Sequence, residues 1–486
     1  MAEAVPAALG GLFIDGRRVE TAERLDVVDP ATGRVVGNVA RGGVEHVDAA
    51  VAAARAAGEG PWGRTTGRDR SKVLLRISEL IRENADELVR LESLDVGKPV
   101  GLCRPVDVET AAEQYAYCAA LAQTMDGSVR STPFPAHAYT VREPVGVVAA
   151  ITPFNFPLVL SSTKIAPALA AGNTVVHKPA ADTSLSALFM AQLFLDAGVP
   201  AGVVNVVTGS GGVVGEALLR HPGVDKVAFT GSTEVGRHAA AVSGQNLTQV
   251  TMELGGNAAN IVFADADVES AIGAAVKAFV FNTGQFCMGG PRLLVERPLY
   301  ETVLGILAQA VPGVPLGDPR DPATVVGPLA SARQREVVEG YVEQARASGA
   351  RVVCGGARPE LPGDLADGFF YCPTVLADVK STDPVVAEEV FGPVLTVQPF
   401  DSEDEAVEMA NGTPYGLAAG LQTRDVARAH RVASRLRAGI VWVNDWALLD
   451  PAVPFGGVGA SGFGREYGPE ALHSYTRTKS VVVSLA

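Results

Sequence analysis

The chain has 486 residues, 47% of them hydrophobic and 19% charged, enough for two or three domains with ample core. A formal net charge of −14 argues against nucleic acid or an anionic membrane as the main partner, and every apolar run is cut by glycine, proline or charge short of a bilayer span. The five cysteines, Cys103, Cys118, Cys287, Cys354 and Cys372, are scattered without CxxC spacing. That pattern fits neither a disulfide framework nor a zinc site, and predicts a reducing, cytoplasmic setting with no metal.

Met1 to Gly11 has neither a basic n-region nor a sustained apolar run, so no signal peptide is expected. Residues 45–57 and 71–95 predict helices; in the second, Val73, Leu74, Ile77, Leu80, Ile81, Leu88 and Leu91 recur at helical spacing. The polar segment 124–144, with Pro133 and Pro135 leading into Tyr139-Thr140-Val141, reads as an inserted ribbon.

From about residue 145, β-rich runs alternate with helical ones. Strands are expected at Gly146–Ile151, Asn173–His177, Val203–Val207 and Lys226–Phe229, and helices at Ser161–Ala171, Ser184–Ala197 and Gly212–Leu219. This alternation predicts a parallel α/β sheet with ligands at the carboxyl ends of its strands. A second α/β stretch follows, with strands at Asn260–Val262, Arg292–Val295, Val394–Val397 and Ile440–Val443. The terminal Lys479-Ser480-Val481-Val482-Val483 is an apolar strand, either at the edge of the core or paired with the ribbon of a neighbouring subunit.

Cys287 carries the strongest chemical signal. Taken alone, a free cysteine is most often a small buried hydrophobe. This one closes Phe281-Asn282-Thr283-Gly284-Gln285-Phe286-Cys287, downstream of Glu253 in Met252-Glu253-Leu254-Gly255-Gly256. A thiol among glycines and a carboxylate at a Gly-Gly turn supply a nucleophile and a base for covalent catalysis on a carbonyl carbon. No Lys, Arg or His lies within four residues of Cys287. Its thiolate must therefore draw on groups elsewhere in the fold, on a helix end, or on proton transfer to Glu253.

Five more strings accompany the pair. Ile151-Thr152-Pro153-Phe154-Asn155-Phe156-Pro157 places an amide between two aromatic rings, where it could face an oxyanion, although a plain turn residue is the commoner role. His177-Lys178-Pro179 closes the next strand with a cation. Phe229-Thr230-Gly231-Ser232-Thr233 runs from a strand through a Gly-Ser turn into a helix, an anion site for a pyrophosphate. Glu389-Val390-Phe391-Gly392-Pro393 follows, then Pro454-Phe455-Gly456-Gly457 continuing through Ser461-Gly462-Phe463-Gly464-Arg465-Glu466. The last string is dense in glycine, as a closely approached loop requires.

In this order, the strings closely resemble the NAD(P)-dependent aldehyde dehydrogenase superfamily over nearly the whole chain, from Phe13-Ile14-Asp15-Gly16 to Tyr475 and Lys479. The resemblance implies an α/β fold of three parts. These are a Rossmann-type cofactor domain (1–123 and 145–252), an α/β catalytic domain (253–465), and a β oligomerisation ribbon (124–144 and 466–486) that builds a homodimer or homotetramer. It also implies Cys287 as nucleophile, Asn155 and the Cys287 amide as oxyanion donors, and Glu253 as general base. An NAD or NADP site would lie on Thr152, Pro153, Lys178, Gly231, Ser232, Glu389 and Phe391, with Lys178 on the adenosine ribose and Ser232 on the pyrophosphate. Leu160, Thr163, Phe281, Phe286, Met288, Trp446 and Leu449 would line the aldehyde tunnel, an apolar and aromatic wall with no cation for a semialdehyde carboxylate.

Three positions depart from the family pattern. Asn257 and Gly459 stand where lysine is usual, and Ala181 where NAD-specific members often carry a glutamate that repels a 2′-phosphate. The resemblance leaves NADP open, with Asp182 as a partial substitute. Rival readings are a CoA-acylating enzyme, which does not need Glu253, and a catalytically silent structural member. A third is a cysteine hydrolase, for which none of the seven histidines supplies a motif.

Overall fold

The computed structural model describes residues 5–485. Met1 to Ala4, the start of the segment read above for a signal peptide, lie outside the described residues. The expected parallel sheet forms the centre of an eight-stranded one. In spatial order its parallel strands are Gln249–Glu253, Lys226–Thr230, Val147–Ile151, Thr174–Lys178 and Val204–Val206. Antiparallel additions, Gly462–Phe463 on one side and Leu12–Ile14 with Arg17–Val19 on the other, complete it. Numbered along the chain, the parallel strands run 5-4-1-2-3, the doubly wound order with its switch point between Val147–Ile151 and Lys226–Thr230. The Thr152–Asn155 and Gly231-Ser232 strings follow directly from these two strands, so the topology brings two distant motifs to one crevice.

A second, seven-stranded sheet is parallel through Thr374–Ala377, Val394–Phe400, Arg292–Glu296, Ala259–Val262, Ala418–Gln422 and Ile440–Val443. Arg351–Cys354 adds antiparallel at one edge. Three of these strands, Arg351–Cys354, Thr374–Ala377 and Ala418–Gln422, are not expected from the sequence. The last contains two alanines and a glycine, poor strand formers. Gly420 is needed because a Cβ there would lie 2.5 Å from the Trp446 ring.

Two further expectations are corrected. The helix expected over 71–95 is two helices, Gly67–Glu83 and Ala85–Val96. They part at Asn84, whose side-chain amide donates to the Leu80 carbonyl at 2.8 Å and competes with the regular ladder. The carboxy-terminal strand does not await a neighbour's ribbon: Thr476–Ser484 pairs antiparallel with Ala136–Pro144 of its own chain over nine residue pairs. It forms one edge of a three-stranded sheet with Val129–Arg130 on the far side. No helix among the described residues is long and apolar enough to cross a membrane.

Candidate active site

The loop before Cys287 is strained. Asn282, Thr283 and Gly284 have φ of 49°, 56° and 72°, three consecutive left-handed residues of which only the last is glycine. Side chains hold the first two: the Asn282 amide donates to the Asn155 carbonyl at 2.9 Å, and the Thr283 hydroxyl to the Gly327 carbonyl at 3.1 Å. At Gly284 any Cβ would lie 2.1 Å from the Gly392 carbonyl oxygen. The same loop takes the Asn155 side chain, whose Nδ2 donates to the Gln285 carbonyl at 3.0 Å while its buried Oδ1 has no partner. The two motifs are thus bound directly to each other.

Cys287 lies between two cavities and lines both, as does Leu160. The first cavity, of about 290 Å³, is walled by Thr163, Phe281, Phe286, Met288 and Leu449, together with Phe156, Phe455 and Tyr467. Trp446 is not on this wall. It is fully buried behind it, with its indole NH donating to the Met288 carbonyl at 3.0 Å and its ring against Gly290 and Gly420. The expected absence of a cation also needs correction: Lys277 reaches the lining, held 3.3 Å from Asp445.

The second cavity, of about 240 Å³, is lined by Pro153, Asn155, Gly231, Ser232, Glu389 and Phe391. Ser232 caps the helix Thr233–Gln245 by accepting the Val235 amide, so the positive end of that helix opens here. The Phe391 ring meets Phe154 edge-on at 5.7 Å. Gln334, which sequence reasoning missed, ties this loop by donating to the Val390 and Phe391 carbonyls. Glu389 accepts the Gly256 amide at 3.0 Å, and burial pushes its carboxyl up to about 7. Lys178 and Thr152 stand back from the lining. The Lys178 ammonium donates to the Pro179 carbonyl at 2.7 Å and is pushed down to about 8 by burial, while Thr152 pairs with His177 at 2.9 Å.

Glu253 ends its strand in a fully enclosed position where neither carboxylate oxygen makes a hydrogen bond; the Gly457 amide is near enough to favour the anion but not aligned to bond it. Burial, followed by the charge of Glu466, raises its pKa well above the usual carboxylate range, opposed by Lys164 and Arg465. A Cβ at Gly456 would lie 2.7 Å from Glu253 Oε1, which explains one glycine of the Pro454 string. Glu466 is itself held by the Lys164 ammonium at 2.5 Å and the Thr163 hydroxyl at 2.8 Å, and Lys164 also donates to Thr230 at 2.6 Å. Lys164 was missed in the sequence, and Glu466, although it ends the glycine-dense string, was given no role there. The available signal was a lone charge within Pro157-Leu158-Val159-Leu160-Ser161-Ser162-Thr163-Lys164-Ile165-Ala166, an otherwise uncharged helix.

No cation is among the main influences on the Cys287 thiol. Burial raises its thiol pKa, and the nearby Glu389 and Glu253 charges raise it further; only the Met288 and Cys287 amides favour the thiolate. Iodoacetamide labelling of the Cys287 peptide, followed by mass spectrometry, is therefore expected to be slow at neutral pH and still climbing above pH about 9. Glu389→Gln removes a like charge, and a half-unit fall in the thiol pKa would speed labelling at pH about 8 by roughly threefold. A labelling rate already flat from pH about 6 upward would contradict this account.

The profile of the Aldehyde dehydrogenase family matches residues 18–481. Among solved structures, the NAD+ complex of an aldehyde dehydrogenase from Bacillus cereus is 43% identical, with 98% of this chain and 96% of that chain covered and a TM-score of 0.95. PnpE from Pseudomonas sp. WBC-3 is also 43% identical, with 98% of each chain covered and a TM-score of 0.96. A betaine aldehyde dehydrogenase from Staphylococcus aureus, in complex with NAD+, is 38% identical, with 98% and 97% covered and a TM-score of 0.95.

Proposed function

The chain belongs to the aldehyde dehydrogenase family, and from that premise we propose that it oxidises a medium or large apolar or aromatic aldehyde to the carboxylic acid through a thioester on Cys287. The observation that carries this reading is the placement of Cys287 on the shared wall of two cavities, one apolar and one opening on a helix amino terminus. A carbonyl carbon bound at the sulfur can exchange electrons with a group in the other cavity without leaving it.

NAD suits the second cavity. The Ser232 turn offers free amides to a pyrophosphate, and Gly255 leaves open the space beside Glu389, where a Cβ would lie 2.1 Å from Oε2. The free oxygen of Glu389 would hold a ribose hydroxyl, with Phe391 packed at the same end. Bound there, nicotinamide supplies the acceptor for a hydride. Ala181 presents no carboxylate against a 2′-phosphate, and Asp182 is exposed, so NADP is accepted alongside NAD.

The Cys287 thiolate adds to the aldehyde carbon, and the resulting oxyanion meets Asn155 Nδ2 and the Cys287 amide. Loss of hydride from this tetrahedral carbon leaves a thioester. Glu253 then takes a proton from the water that releases the acid. Its unpartnered carboxylate, enclosed and raised in pKa, suits a base that works near neutral pH.

A homo-oligomer is part of the proposal. Thr476–Ser484 and Ile440–Val443 each leave one edge unpaired, and the former exposes Val482 and Val483.

The test is an aldehyde panel with both cofactors. Aliphatic and aromatic aldehydes are expected to exceed succinate semialdehyde and betaine aldehyde by about tenfold or more in kcat/KM, the worth of one or two buried methylenes. The opposite ranking overturns the substrate assignment, and release of acyl-CoA rather than free acid overturns the role of Glu253.

A further inference from the structure

Three ionisable side chains outside the reaction just described are fully buried together behind the aldehyde cavity. Gly97 ends the Ala85–Val96 helix in a left-handed conformation with φ of 77°, and the chain turns back so that Lys98 points into the interior. Its ammonium donates to Asp107 at 2.5 Å and to Glu92 at 3.4 Å, and lies 4.2 Å from the centroid of the Phe156 ring. The second oxygen of Glu92 accepts the Leu158 amide at 3.1 Å. That amide belongs to the first turn of the Pro157–Ala171 helix, where Pro157 has no NH to offer and a carboxylate is favoured by the helix dipole.

The trio therefore grips the short stretch that carries the Asn155 amide, which lines the same cavity as Cys287. Asn155 precedes Phe156, and Phe156 lines the aldehyde cavity against Phe281 and Phe286. Asp107 comes from the turn Cys103–Val108, which also puts Pro105 and Val106 on the cavity wall. A purely stabilising role would be filled as well or better by apolar side chains of the same volume. We propose that Glu92, anchored by Lys98 and Asp107, is a positioning residue: it fixes the first turn of the Pro157–Ala171 helix, and with it the aim of the Asn155 amide. The inference rests on the reading of Asn155 as an oxyanion donor.

Two conservative variants make opposite predictions. Glu92→Gln keeps an acceptor within reach of the Leu158 amide and discards the charge, leaving Lys98 on its closer partner Asp107. Glu92→Asp keeps the charge but withdraws the acceptor by one methylene. In stopped-flow measurements of the first turnover, the Gln variant is expected to keep its burst rate within about threefold of wild type. The Asp variant is expected to lose about tenfold or more, with aldehyde KM nearly unchanged, as misaim of a preorganised donor does. An Asp variant with a wild-type burst, or a Gln variant that falls as far as the Asp one, overturns the proposal. Asn155→Ala, measured in parallel, separates the two layers. If its burst is unaffected, the oxyanion reading itself fails; if it collapses while Glu92→Asp does not, only the positioning role fails.

Discussion

Cys287→Ala is expected to abolish aldehyde oxidation, with kcat falling by at least about 10⁴-fold, while NAD binding stays within about twofold of wild type. The sulfur is the only nucleophile on the wall shared by the two cavities; their other lining groups are apolar side chains, amides, hydroxyls, carboxylates and the single ammonium of Lys277, which is paired with Asp445. Without it the hydrated aldehyde would have to surrender hydride directly, with no covalent link holding the carbon against the acceptor, and the loss of proximity alone is worth several orders of magnitude. Folding should not suffer. The substitution removes one atom from a partly exposed position and also removes a thiol whose ionisation is opposed by two neighbouring carboxylates. Cofactor titration by fluorescence and the rate with the best aldehyde of the panel check both halves. A variant that keeps even a tenth of the activity would remove Cys287 from the mechanism.

What could be read from the sequence follows a physical division. Four of the five parallel strands of the first sheet could be read because they are short β-rich runs ending in turn residues. Gln249–Glu253, with polar residues at both ends, could not, and it is the observed strand order that puts Asn155 and Ser232 at one switch point. Ala418–Gln422 could not be, since its composition is dictated by Trp446 lying over Gly420 rather than by strand propensity. Trp446 itself shows the limit of carrying a role over by position: it supports the wall through Met288 without forming it. Long-range charge pairs were out of reach. Lys164 and Glu466 are 302 residues apart, and nothing local marks them as partners. The Glu92 contact with Leu158 spans 66 residues and likewise depends on the fold. Backbone–side-chain bonds between loops, such as Asn155 with Gln285, were equally hidden, although both residues stood in conspicuous motifs.

Glu253→Gln should separate the two halves of the reaction. The first turnover is expected to survive as a burst of about one reduced cofactor per active site, after which steady-state turnover falls by about 10²–10⁴-fold, the usual worth of a general base. The substitution preserves volume in an enclosed position and introduces an amide where the carboxylate had no hydrogen-bond partner, so packing changes little. What disappears is the ability to take a proton from water. Intact mass spectrometry should then find the acyl group on Cys287, because the thioester forms and has no base to release it. The pH profile gives an independent sign. The base works only when ionised, and burial with the adjacent Glu466 charge holds its pKa well above the ordinary carboxylate range. Wild-type deacylation must therefore rise as pH increases through that raised value and decline below it, whereas the Gln variant loses this limb. If instead the burst vanishes together with turnover, Glu253 takes the thiol proton. With no cation among the main influences on Cys287 and two carboxylates disfavouring its thiolate, that alternative has a definite physical basis, and burst amplitude decides between the two roles.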